Sequence, residues 1–142
     1  MVCKAVNYTD ENRGRIQHRE RARQIIDFSG IRYGNITPTD IDGFFEYHNE
    51  VFVFCEMKLA GAELPDGQRM AIERLVDRCD SNEKHAVAFV CEHTVEDPEE
   101  DVVAAETIVK TIYYKSGWHT PEGKHKLKCW IDSFLTFAKV VS

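Results

Sequence analysis

The segment Val51-Phe52-Val53-Phe54-Cys55-Glu56-Met57-Lys58-Leu59 constrains this chain more than any other. Its Val and Phe content and its two-residue period predict a β-strand. Successive side chains on a strand point to opposite faces. One face therefore carries Val51, Val53, Cys55, Met57 and Leu59, all apolar and suited to a core. The other carries Phe52, Phe54, Glu56 and Lys58. That face begins apolar and ends with a carboxylate beside an ammonium. A strand buried over most of its length ends this way only where the charges are paired or used, because an unpaired buried charge is costly.

The preceding run, Ile41 to Tyr47, reads as a second strand. The short connection His48-Asn49-Glu50 makes the two an antiparallel hairpin. Asp40, Asp42 and Phe44 share one face of it, so the hairpin brings Asp42 next to Glu56. Two adjacent carboxylates repel unless a proton or a cation lies between them. A hard divalent cation with oxygen ligands, Mg²⁺ or Mn²⁺, meets that need. The backbone carbonyl of Met57 is a further candidate ligand. Gly43, with no side chain, is expected to leave room close to the site. Lys58 then lies within reach of a water and a phosphate. Gln68 shares a helical stripe with Ile72, Leu75 and Cys79, which puts a polar amide on a core-facing side, where it needs a partner.

The rest of the chain predicts a helix over about Gly14 to Phe28, with Ser29-Gly30 as its stop, and a further strand in Ile31 to Ile36. Gly61 to Asp66 reads as a loop, Gln68 to Cys79 as a helix and Ala86 to Cys91 as a buried strand. An acidic loop follows, then a strand over Thr107 to Tyr114 and a loop over Trp118 to Gly123. Lys124 to Val140 is an amphipathic helix carrying Leu127, Trp130, Ile131, Phe134, Leu135 and Ala138. This order predicts an α/β fold with a mixed sheet flanked by helices. The 142 residues fit a single domain, with the motif region at about 16–93 and a C-terminal strand and helix at 107–140.

The series Pro38-Thr39-Asp40-Ile41-Asp42-Gly43, then Phe54-Cys55-Glu56-Met57-Lys58, then Gln68 on a helix, resembles the PD-(D/E)XK nuclease superfamily. Within it the pattern is most similar to small Holliday-junction resolvases and virus-type replication-repair nucleases. The resemblance covers roughly half the chain, Ile16 to Cys79. It implies a restriction-endonuclease-like sheet and magnesium-dependent hydrolysis of DNA phosphodiesters, on branched or distorted substrates. Asp42 takes the place of the first metal-binding acid, Glu56 and Lys58 match the E-x-K, and Gln68 matches the glutamine that often follows. By the same resemblance Asp42, Glu56, Lys58 and Gln68 are the catalytic set, and a homodimer is the expected assembly. The family often carries a glutamate on its first helix, and Glu20 is the candidate here. Glu20 also reads as a solvated acid between Arg19 and Arg21. Asp40 is an alternative to Asp42, although the Ile-Asp-Gly context favours Asp42.

Net charge is −6, and proteins that grip long duplexes over their whole surface are usually basic, so nucleic-acid contact must be local. Arg13, Arg15, Arg19, Arg21, Arg23 and Arg32 crowd the first quarter. They read equally well as a phosphate-binding segment or as a solvated face. No run approaches the roughly 20 apolar residues that span a bilayer, so no membrane partner is expected. Met1 to Asp10 show no secretion-signal pattern, and the five cysteines, with no C-x-x-C pair, read as reduced thiols. The expected compartment is the cytoplasm. Cys91, His93, His125 and Cys129 form a weaker candidate zinc set. No Gly-rich phosphate loop and no G-x-S-x-G motif occurs. The rival to a nuclease is a catalytically silent binding module on the same fold, such as a phage or mobile-element accessory protein that engages nucleic acid or a host protein.

Overall fold

The computed structural model describes Cys3 and residues 13–140. These fall into two compact units, residues 13–40 and residues 41–140 with Cys3.

In the first unit the helix expected over 14–28 shrinks to one turn, α1 (Arg19–Ala22). Its N-cap position is His18, which makes no capping hydrogen bond. Ile16, Ile25 and Ile26, the apolar stripe of the expected helix, are each more than 70% exposed. Isolated helices of this length are marginal in water, and helices in proteins owe most of their stability to a packed apolar face. Helical propensity alone was therefore an insufficient guide. The strand expected within 31–36 is instead a tight turn, with Tyr33 and Ile36 exchanging backbone hydrogen bonds of 2.9 and 3.1 Å.

The second unit is an α/β structure built on a five-stranded mixed sheet. Its elements are β1 (Gly43–Tyr47), β2 (Val51–Leu59), α2 (Asp66–Cys79), β3 (His85–His93), β4 (Ile108–Tyr114), β5 (Gly117–His119) and α3 (Leu127–Phe137). Spatial order follows chain order, β1-β2-β3-β4-β5. Only β2 and β3 pair in parallel; the other pairs are antiparallel. A parallel pair needs a long crossover, and α2 supplies it. The β1–β2 hairpin turns through His48 and Asn49, both at positive φ, with Glu50 N–H donating to the Tyr47 carbonyl at 2.9 Å. Three residues, 48–50, thus connect the paired Tyr47 and Val51, and positive φ at two successive turn residues suits the twist of hairpin strands.

The alternation along β2 sorts its side chains between two cores. Val51, Val53 and Cys55 join Phe89, Val109, Phe134 and Leu135 beneath α3. Phe54 joins Ala86, Ala88, Tyr113, Ile72 and Val76 beneath α2. Two expectations need correction. The segment after Tyr114 is not all loop, since Gly117–His119 forms β5, pairing Trp118 with Tyr113. Nor are all five cysteines free: Cys3 and Cys129 form a disulfide, and Cys55, Cys79 and Cys91 remain thiols. Two cysteines 126 residues apart carry no pairing signal in their spacing.

The Tyr113 hydroxyl ties the sheet to α2. It is buried and donates to both carboxylate oxygens of Asp77, at 2.9 and 3.0 Å. Burial, followed by the Asp77 contact, pushes its pKa up to about 12, so it remains a donor throughout the physiological range. Tyr113→Phe is expected to lower the unfolding free energy by about 1–2 kcal/mol, read from the urea midpoint at unchanged m-value. A loss below about 0.3 kcal/mol would show that solvent replaces the bond at no cost.

Candidate metal and phosphate site

The site lies where β1 runs out beside the C-terminal half of β2. The last register pair of the hairpin toward this end is Gly43 with Cys55. Asp42, one residue further, therefore falls opposite Glu56 and on the same face, since alternation has already put Phe44 and Phe54 there. Asp42 does not extend the backbone ladder. Its Oδ2 accepts the Met57 N–H at 2.8 Å, in the position a β1 carbonyl would otherwise take. The N–H and C=O of one strand residue point to the same neighbour, so the Met57 carbonyl is also directed to this side, past the end of β1. Gly43 turns out not to make room at the site. Its partner is Cys55, so it faces the α3 side, and a Cβ there would meet the Cys55 Cβ at an ordinary 3.5 Å.

Glu56 is 5% exposed, among Ile41, Phe54, Ile72 and Ala88. Lys58 Nζ stands 3.1 Å from its Oε1. Its Oε2 is shielded from solvent and has no hydrogen-bond partner among the described residues. Burial pushes the carboxyl pKa up. The Lys58 hydrogen bond pulls it back, the Asp42 charge raises it again, and a hydrogen bond from Gln68 lowers it. Gln68 is itself buried on the first turn of α2.

The structure thus brings Asp42, Glu56, Met57, Lys58 and Gln68 together within the second unit. Glu20 and Asp40 belong to the first unit and are exposed, as are Arg13, Arg15, Arg23 and Arg32, while Arg19 is half-buried. Arg32 donates through Nε to the Gly34 carbonyl at 2.9 Å. The weaker zinc set is not assembled. Cys129 is in the disulfide, Cys91 is a buried thiol with its pKa raised to about 11 by burial, and His93 Nδ1 accepts the Val95 N–H. No group of three or more His, Cys, Asp or Glu side chains able to hold a metal occurs among the described residues.

Two charged residues that the sequence reading passed over complete this edge. Parallel pairing sets Glu92 of β3 directly beside Lys58, and Lys110 of β4 lies 3.6 Å from Glu92. Neither stands out in sequence, because strand neighbours across a crossover are invisible to local pattern.

No family model, curated protein or solved structure matches the chain. No helix among the described residues is long and apolar enough to cross a membrane.

Proposed function

We propose that this chain is a metal-dependent nuclease that hydrolyses DNA phosphodiesters, with branched or distorted DNA as its substrate class. One observation carries the reading: a buried carboxylate, Glu56, keeps one oxygen without a partner while a second carboxylate, Asp42, is held beside it. A buried acceptor left open costs roughly 1–3 kcal/mol, so its persistence suits an oxygen that waits for a ligand. All the donors at hand are oxygens: Asp42, Glu56 and the Met57 carbonyl. That set suits Mg²⁺ or Mn²⁺, and Mg²⁺ in particular is commonly held by one or two carboxylates together with waters and substrate phosphate. A bound ion of this kind lowers the pKa of water and offsets charge on a phosphoryl oxygen. The resemblance of Asp42, the Glu56-Met57-Lys58 triplet and Gln68 to PD-(D/E)XK nucleases supports the same assignment.

The chain's own groups divide the remaining work. Asp42 and Glu56 supply negative charge at one face of the hairpin end. The Lys58 side chain, 24% exposed, sets its ammonium against Glu56. It is placed to orient an attacking water or to counter charge developing on a phosphate. Gln68, buried at the start of α2, is placed to hydrogen-bond the Glu56 carboxylate.

Metal binding has a direct test in stability. Mn²⁺ at about 100 times its dissociation constant should stabilise the wild type by roughly 2.7 kcal/mol, seen as a rise in Tm, and Asp42→Ala should lose that rise. An equal rise in both proteins would place the ion elsewhere. The test of function is cleavage of labelled single-stranded, duplex, flapped and four-way-branched DNA, with RNA as comparison, in Mg²⁺ or Mn²⁺. Cleavage that Glu56→Ala and Lys58→Ala both lose supports the nuclease. No cleavage leaves the catalytically silent binding module, a reading favoured by the net charge of −6, and equal cleavage by the variants shows that the activity does not come from this site.

A further inference from the structure

Glu56 and Lys58 share the α2-facing side of β2 with Phe54, and the two-residue period on β3 puts Glu92 on the same side as Ala86 and Ala88. At this edge the ladder between β3 and β4 is irregular. Val90 pairs with Thr111 and Cys91 with Val109, so Lys110 is left over as the bulged residue. A bulge re-aims the side chain it carries and is common beside functional sites. Here it coincides with a return to core packing on either side: Val109 and Ile112 both enter the α3 core, although they are an odd number of positions apart. Lys110 itself is more than half exposed and reaches back to Glu92. The result is a row of alternating charge running across three strands, Glu56, Lys58, Glu92 and Lys110.

We propose that Lys110 holds a second phosphate of the DNA strand whose reacting phosphate lies at Glu56 and Lys58. This rests on the nuclease reading above. Neighbouring strands are about 4.8 Å apart, so β4 lies roughly 10 Å from β2. A DNA strand winds about its axis as it advances about 3.4 Å per nucleotide, so successive phosphates lie well over 3.4 Å apart and the two lysines match phosphates one or two nucleotides apart. Lys110 is a positioning residue that acts through binding. Glu92 competes with the phosphate for it and keeps the empty row neutral.

The experiment measures KM and kcat for cleavage of a short four-way-branched DNA in Mn²⁺, and the salt dependence of its binding. It uses wild type, Lys110→Gln, Lys110→Arg and Glu92→Gln. Lys110→Gln should raise KM about five- to tenfold at little-changed kcat and reduce the slope of log affinity against log salt by about 1. Lys110→Arg should restore both, and Glu92→Gln should lower KM. A pair that serves structure alone predicts equal losses of Tm in both glutamine variants and no change in KM or slope, and that result overturns the proposal. Cleavage by wild type with an unaltered Lys110→Gln overturns the second phosphate contact and leaves the nuclease standing. Absence of wild-type cleavage overturns both.

Discussion

Glu56→Gln should reduce DNA cleavage by on the order of 10³-fold while making the metal-free protein more stable. The two effects have one cause. The wild-type carboxylate is buried with Oε2 unpartnered, and burial is the largest influence on its proton affinity. The neutral amide removes a buried charge at almost constant shape, and the released Lys58 side chain already reaches solvent. A gain of about 1 kcal/mol in the urea-derived unfolding free energy follows, the usual scale when a strained functional group is neutralised. The loss of rate corresponds to about 4 kcal/mol of transition-state stabilisation, since one face of the metal and phosphate site is gone. Lys58→Ala should cost 10² to 10³ in kcat on the same scale, and the double variant should be little worse than either alone, because the two groups act as a unit. A Glu56→Gln protein that is both less stable and fully active would show that the Glu56–Lys58 pair is only a salt bridge at a sheet end.

Phe89→Ala should cost about 3–5 kcal/mol, enough to leave much of the protein unfolded at 37 °C if its total stability lies in the usual range of about 5–15 kcal/mol. Phe89 is 1% exposed at the centre of β3, the middle strand of the sheet, and it packs against Trp130 of α3 at 6.4 Å between ring centroids. Truncation opens a cavity between the sheet and α3 that backbone pairing on both sides prevents from collapsing. Phe44→Ala is the matched control. Phe44 is 59% exposed on the outer strand, stacked 5.1 Å from Phe54, and should cost under about 1 kcal/mol. The readout is the urea midpoint of each variant by far-ultraviolet circular dichroism. Equal losses from the two would mean that the α3 core closes over the missing ring.

How legible the molecule was in its sequence differs sharply between its two units. From Ile41 on, local pattern sufficed for most elements, because each is fixed by burial that leaves a trace in spacing. The alternation of Val51 to Leu59 put Val51, Val53 and Cys55 in the α3 core and Phe52 and Phe54 in the α2 core, although Leu59, expected in a core, is exposed. Of the expected stripe on α2, Gln68 and Ile72 are buried and Leu75 and Cys79 half-buried, while Val76, outside that stripe, is fully buried. Leu127, Phe134 and Leu135 are the buried side of α3. The juxtaposition of Asp42 with Glu56 followed from a short hairpin connection and a period of two. Before Ile41 the same reasoning failed. Helix-favouring composition over 14–28 gave one turn, because propensity contributes a few tenths of a kcal/mol per residue and the apolar stripe is left exposed.

The sequence by itself determined the strand and helix faces of the second unit, the hairpin, and the residue types gathered at its open end. Those are local properties, set by the backbone's fixed periods and by the cost of burying charge. Tertiary structure alone decided the rest. The parallel pairing of β2 with β3 set Glu92 beside Lys58, a bulge sent Lys110 toward Glu92, and β5 formed from a segment that reads as loop. Cys3 joined Cys129 across nearly the whole chain. Packing also left Glu56 Oε2 without a partner among the described residues, and so turned a common E-x-K triplet into a candidate site. Contacts of this kind depend on which distant segments meet, and on the solvent they exclude, neither of which a local periodicity encodes.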